Sequence, residues 1–191
     1  MTKKALVFLA EGFEEVEALT PVDYLRRAGI EVCTAGISAK TVVKGSHGIQ
    51  VTPEAVIGSL SREGKFTSSA WDAVLLPGGI PGAPNLAASK EVGAFLKEMA
   101  DTGKLVCAIC ASPAVVFAPL GLLKGRRFTC FPGLEKKVSD GVWSEDRVVI
   151  DGNIITSRSA GTAGEWSIAI IQTLLDAASA QKIAEQVLLK A

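Results

Sequence analysis

The stretch KLVCAICASPAVV, residues 104–116, decides the fold. Its first part, KLVCAI (104–109), is a short apolar run without alternation, which reads as a strand buried on both faces. The run passes without a linker into ASPAVVFAPL (111–120), a helical pattern. A buried strand that turns directly into a helix belongs to a parallel sheet covered by helices on both faces. In such sheets chemistry collects beyond the carboxyl ends of the strands. The residue at the end of this strand is Cys110.

The same alternation runs outward in both directions. KALVFLA (4–10), IEVCTAG (30–36) and WDAVLLPGG (71–79) read as further strands, and RRFTCF (126–131), RVVID (147–151) and NIITS (153–157) as later ones. A helix is expected over 14–28, where Val16, Leu19, Val22 and Arg26 keep helical spacing and Gly29 stops it. Another is expected over 89–102, with Ser89 as cap, Glu91 in the first turn and Gly103 as the stop. Trp166, Ala169, Ile170, Thr173 and Leu174 stripe a long helix from about Thr162, and an amphipathic helix follows over 180–190. The polar stretch 58–70 reads as a surface loop within one sheet rather than a linker. The expectation is one doubly wound α/β domain over 1–191, without internal repeats.

Composition excludes several classes. Hydrophobic residues make up 48% of the 191 and charged residues 21%, too apolar and too balanced for a disordered chain. Lys plus Arg number 20 and Asp plus Glu 20, so no basic field exists to hold nucleic acid or an anionic membrane. No apolar run approaches a membrane span of about 18 residues. The N-terminal run from Ala5 to Ala10 is followed at once by Glu11, Glu14 and Glu15, so it reads as a buried strand rather than a secretory leader. Cys33, Cys107, Cys110 and Cys130 are too few for a disulfide scaffold and sit in apolar segments. A cytoplasmic address is expected.

Three strand ends carry candidate chemistry. Around Cys110, Ala108, Ala111 and Ser112 make the thiol counterpart of a nucleophile elbow, where bulky neighbours would clash. A helix starting at the thiol favours thiolate, and the Ala111 N–H is placed to join the Gly79 N–H in an oxyanion hole. Pro77, Gly78, Gly79 and Gly82 form the turn after the third strand; neither GxGxxG nor GxxxxGK[ST] is present, so dinucleotide and P-loop readings fail. After the first strand, Glu14, Glu15 and Glu17 suit a helix N-terminus as dipole compensation. Glu17 shares a face with Phe13 and Thr20 and is expected to point inward, where a buried carboxyl becomes a candidate acid or base. Cys107 and Cys110 form CxxC, but residues three apart on a strand face opposite sides ~10 Å apart, too far for a disulfide. His47, the only histidine, reads as a turn residue beside Gly48. A single histidine excludes mechanisms that need two, and with one CxxC it leaves no zinc ligand set.

The segments KALVFLAEGFEEVEALTPVDYLRRAGIEV, VLLPGGIPGAPNL, LVCAICASPAV and ITSRSAGT together resemble the ThiJ/PfpI superfamily, most closely a bacterial-type member of its parkinsonism-associated branch. The resemblance implies a flavodoxin-like fold, a homodimer through the first helix, Cys110 as nucleophile, Glu17 as its carboxylic partner, and oxyanion amides on Gly79 and Ala111. It implies glutathione-independent glyoxalase or deglycase activity on small dicarbonyls such as methylglyoxal, with no cofactor or metal. The alternative is a redox-sensing or chaperone-like stress protein whose Cys110 is oxidised. Ala111 stands where the peptidase branch has a histidine, which disfavours proteolysis. Phe131, before Pro132, stands where the branch carries its third site residue, a histidine. His47 stands where the branch has an arginine near the site, which makes it an accessory candidate.

Overall fold

The computed structural model describes residues 2–189. The chain opens with β1 (Lys4–Leu9), α1 (Glu15–Arg27) and β2 (Glu31–Gly36). A small excursion follows: the two-residue strands β3 (Val43–Lys44) and β4 (Gln50–Val51), then β5 (Ala55–Val56) and α2 (Ile57–Arg62). Next come β6 (Ala73–Leu76), α3 (Gly82–Ala88), α4 (Lys90–Asp101) and β7 (Leu105–Ile109). The C-terminal part adds β8 (Arg127–Phe128), β9 (Val142–Trp143), β10 (Val148–Asp151), β11 (Ile154–Ser157), α5 (Ala163–Leu174) and α6 (Ala177–Gln186).

Seven strands make one sheet in the order β10-β11-β7-β6-β1-β2-β5. All neighbours run parallel except β10, which pairs antiparallel to β11 at the edge. Strand alternation divides the core into two layers. Leu6, Phe8, Val74, Leu76, Val106 and Ala108 face Val92, Phe95, Leu96 and Met99 of α4. Ala5, Val7, Leu9, Leu75, Cys107 and Ile109 face Ala18, Val22 and Leu25 of α1 and Trp166, Ile170 and Ile171 of α5. Because both faces are covered, β1, β6 and β7 are buried almost throughout, which is why their sequences do not alternate. Their carboxyl ends meet at one edge of the sandwich. Among the described residues no helix is long and apolar enough to cross a membrane.

The doubly wound architecture and most core elements match the sequence reading. Ser89 caps α4 as expected, its side chain accepting from the Val92 N–H at 3.3 Å. Four local expectations are corrected. Residues 58–70 are not a plain loop: α2 and a single 3-10 turn (Ser68–Ala70) occupy much of them, because Ile57, Leu60 and Ser68 are buried. The strand expected over 126–131 shrinks to Arg127–Phe128 and pairs with β9 in a separate ribbon. The regular helix expected after Cys110 is a short π turn, Pro113–Phe117, held by a bond from the Ala118 N–H to the Pro113 carbonyl. The last helix starts and ends earlier than 180–190, and Lys190 lies outside the described residues.

The α4 layer is anchored by an aromatic cluster. Phe66 stacks on Phe95 with centroids 4.5 Å apart, and Phe8 meets Phe95 edge-on at 5.8 Å. Phe95→Ala removes the ring common to both pairs and should cost about 3–5 kcal/mol in denaturant unfolding. A loss below about 1 kcal/mol would show that the layer closes without it.

Candidate functional site

Cys110 follows directly after β7. Its backbone is left-handed, φ 63°, a region that a residue with a side chain enters at a cost of order 1–3 kcal/mol. Three hydrogen bonds hold the turn. Its N–H donates to the Ser157 carbonyl at 3.0 Å, its carbonyl accepts from the Phe131 N–H at 2.8 Å, and Ser112 Oγ donates to the Pro77 carbonyl at 2.6 Å. The ends of β6, β7 and β11 and the segment before Pro132 are thereby tied together around one thiol.

Opposite it, Glu17 projects from α1 and is 1% exposed. One carboxylate oxygen, Oε2, accepts from the Gly78 N–H at 2.8 Å. The other, Oε1, has no partner of good geometry, although the thiol and the carboxyl lie close enough to act on each other's ionisation. Gly78 is required by contact: a Cβ there would lie 2.8 Å from Cys110 Cβ and 2.9 Å from Glu17 Oε2. At Gly79, φ is 90°, and an added Cβ would strike the backbone of residues 12–14. Gly78 lets the main chain lie between the thiol and the carboxyl, and Gly79 lets it pack on residues 12–14.

Burial dominates the electrostatics of the pair. It lifts the Glu17 carboxyl to about 7, against opposing hydrogen bonds from the Gly78 N–H and from Cys110. Burial, then the Glu17 charge, pushes the Cys110 thiol up; the Ala111 and Gly79 N–H groups pull it down. The two amides thus face the sulfur, where they can stabilise negative charge on it or on an oxygen bonded beside it. Burial and the Glu17 charge thus oppose the thiolate that a helix start at Cys110 is expected to favour; a proton kept on Glu17 removes the charge part of that penalty and leaves the burial part. Cys33 and Cys130 are pushed up by burial to about 11 and about 12, and buried Cys107 also lies well above the ordinary thiol value. All four cysteines are free. The strand-alternation reason for rejecting a Cys107–Cys110 pair needs correction: Cys110 lies past the strand in a turn, and both residues pack on the α1 and α5 layer.

Sequence reasoning missed Glu15. Set down there as dipole compensation, it is 3% exposed and accepts from the backbone N–H of His47 at 2.8 Å and of Ile49 at 3.2 Å. Despite burial, these bonds and a contact with the His47 ring hold its carboxyl at about 2. His47 is no idle turn residue: its Nδ1 lies 3.0 Å from Glu15 and 3.3 Å from Glu14, and the Glu15 hydrogen bond raises its pKa. The missed signal was Gly45, where a Cβ would collide with the Glu15 side chain. Glu14, Glu15 and His47 are also the one group among the described residues whose ligand atoms converge as a metal would require. The loop they anchor borders the site through Glu14, whose N–H donates to the Gly78 carbonyl at 3.1 Å.

A doubly wound α/β domain with a strained thiol turn at a central strand, a buried carboxyl against it and two amides aimed at it defines a class of elbow-type cysteine proteins. Comparison with known proteins narrows this class: residues 3–173 match the model of the DJ-1/PfpI family, and the chain belongs to that family. It is 39% identical over 191 residues to the Parkinson disease protein 7 homolog of Danio rerio, covering 98% of each chain. It is 34% identical over 175 residues to the glutathione-independent glyoxalase DJR-1.2 of Caenorhabditis elegans, covering 90% of this chain and 89% of that one. The crystal structure of Drosophila melanogaster DJ-1beta superimposes with a TM-score of 0.92 at 36% identity, covering 100% of both chains.

The raised carboxyl gives a stability signature with a definite sign. Below pH 4.5 Glu17 is protonated folded and unfolded alike. Between 4.5 and about 7 the folded state keeps a proton that the unfolded state has lost, so stability falls as pH rises, by roughly 3 kcal/mol in all. Glu17→Gln is neutral throughout. Relative to wild type, it should gain stability steadily from pH 4.5 to 7 in urea melts; parallel pH profiles would show that Glu17 is ionised in the native site.

Proposed function

We propose that the chain is a cysteine-dependent, glutathione-independent glyoxalase acting on small dicarbonyls such as methylglyoxal. The observation that carries this reading is the pairing of Glu17, whose buried carboxyl keeps its proton to about pH 7, with a thiol faced by the Gly79 and Ala111 amides. A proton held by Glu17 removes the charge that opposes the thiolate, and the Gly79 and Ala111 amides offset part of the burial penalty. Membership of the DJ-1/PfpI family and the nematode relative named as a glyoxalase support the same reading.

The thiolate attacks the aldehyde carbon, forming a C–S bond while the carbonyl electron pair moves to oxygen. The two amides hold that oxyanion, each such donor being worth ~3 kcal/mol. Glu17 delivers its proton to the oxygen and becomes a carboxylate. It then takes the hydrogen of the same carbon as a proton, and the electrons pass to the ketone, giving an enediolate. Returning the proton to the former ketone carbon, while the hydroxyl proton passes to the neighbouring oxygen, leaves the thioester of a 2-hydroxy acid. Water cleaves the C–S bond, giving the 2-hydroxy acid and the thiolate, and the proton released returns to Glu17. The aldehyde carbon is oxidised and the ketone carbon reduced, so the net change is addition of one water, with no cofactor or metal. The same first step on early glycation adducts would be deglycase chemistry. His47, held by Glu14 and Glu15 at the rim, is the accessory group.

Lactate formation from methylglyoxal, in many-fold molar excess and without glutathione, tests this. Cys110→Ser should abolish it. Glu17→Gln and Glu17→Asp should lower it at least tenfold, a loss of about 1.4 kcal/mol or more at the transition state. Turnover in Cys110→Ser equal to wild type would overturn the assignment.

We also propose a symmetric homodimer through α1. Val16 is 50% exposed and Leu19 36%, and Ile49 on the loop beside them is 54% exposed, more apolar surface than an isolated helix leaves in water. Val16→Glu should turn a dimer into a monomer in sedimentation at micromolar concentration. A wild-type monomer there would refute the dimer.

A further inference from the structure

Two large apolar side chains reach solvent beside the thiol. Ile80 follows Gly79, whose N–H acts on the Cys110 sulfur, and is 67% exposed. Phe131 donates its backbone N–H to the Cys110 carbonyl at 2.8 Å, and its side chain is 45% exposed. The residue before it, Cys130, is fully buried in the α4 layer. The chain turns at Phe131, whose carbonyl accepts from the Leu134 N–H at 3.1 Å, and the ring is left exposed. The groups that act most strongly on the thiol are Glu17 and the two amides, and none of them is cationic. The floor of the site is therefore polar and made mainly of backbone, while its mouth carries exposed hydrophobic surface. Such surface beside convergent polar groups is the composition of a small-molecule pocket.

We infer that this mouth selects dicarbonyls bearing an apolar, aryl-sized substituent over methylglyoxal, with Phe131 and Ile80 as the specificity-determining residues. The inference rests on the glyoxalase reading above. With the aldehyde carbon on the sulfur and its oxygen on the amides, the far substituent extends toward the mouth. A methyl group covers little of either side chain. A phenyl group can stack on Phe131 and remove Ile80 from water. Arg158, the cation that acts on neighbouring Cys130, is tied to the Glu145 carbonyl at 2.8 Å.

Two measurements keep the failure of this inference apart from the failure of the activity. The first is kcat/KM for phenylglyoxal and for methylglyoxal, without glutathione, in wild type, Phe131→Ser, Ile80→Ser and the double variant. The phenylglyoxal to methylglyoxal ratio should fall at least ~10-fold in the double variant, mostly through KM, the size expected from losing apolar pocket contacts. An unchanged ratio overturns the inference while leaving the activity standing. The second needs no turnover: the rate of Cys110 alkylation by iodoacetanilide relative to iodoacetamide. That ratio should be high in wild type and fall severalfold in the double variant. If neither dicarbonyl is consumed but the alkylation ratio behaves so, the glyoxalase reading fails and the apolar mouth remains. If the alkylation ratio is the same in both proteins, the mouth is refuted. Both side chains are exposed, so thermal midpoints of the variants should stay close to wild type.

Discussion

The structure depends on bringing a carboxyl and a thiol together out of water. Glu17 comes from the helix after β1 and Cys110 from the turn after β7, on strands separated in the sheet only by β6. The loop after β6 has to pass between them, and it does so as bare backbone: Gly78 donates to one carboxylate oxygen and lies where any side chain would strike both partners. The strained backbone at Cys110 is the counterpart of this close approach. Bonds to the Ser157 carbonyl and from the Phe131 N–H and Ser112 Oγ hold the surrounding segments and offset the strain locally.

Burial then sets the chemistry. An exposed glutamate beside a cysteine would be ionised and would repel the thiolate. Removed from water, Glu17 keeps its proton to about pH 7 and can donate where it would otherwise oppose. The amides of Gly79 and Ala111 supply fixed partial positive charge at the sulfur without a cationic side chain. The short π turn after Cys110 provides little of the extended dipole that a regular helix would, so local amides carry most of that stabilisation.

Glu15 applies the same physics to a different end. Two residues from Glu17, it is nearly as buried, yet it stays ionised because backbone N–H groups and the His47 ring surround it. One glutamate is thus kept neutral and coupled to the thiol, while the other is kept charged and anchors the 45–49 loop. What separates them is how deep each carboxyl lies in the fold and how many donors it meets, two glycine-rich turns having been folded against neighbouring positions of one helix.

Much of this was legible in the residues. Unalternating apolar runs gave away strands covered on both faces, and their spacing with helical stripes required a doubly wound parallel sheet, because those patterns are local and periodic. The small residues around Cys110 and the paired glycines at 78–79 marked tight turns for the same reason: sterics act on near neighbours. The inward orientation of Glu17 followed from helical spacing alone. Only the tertiary structure decided the rest. The role of Glu15 depends on a loop some thirty residues away, the collapse of 126–131 into a two-residue ribbon depends on β9, and the conversion of 58–70 into short helices depends on burial against the α4 layer. The sequence determines which residues are able to make a strand, a tight turn or a buried acid. Which donors and which neighbours each one meets is settled by contacts distant along the chain, and those contacts fix the charge that each carboxyl carries.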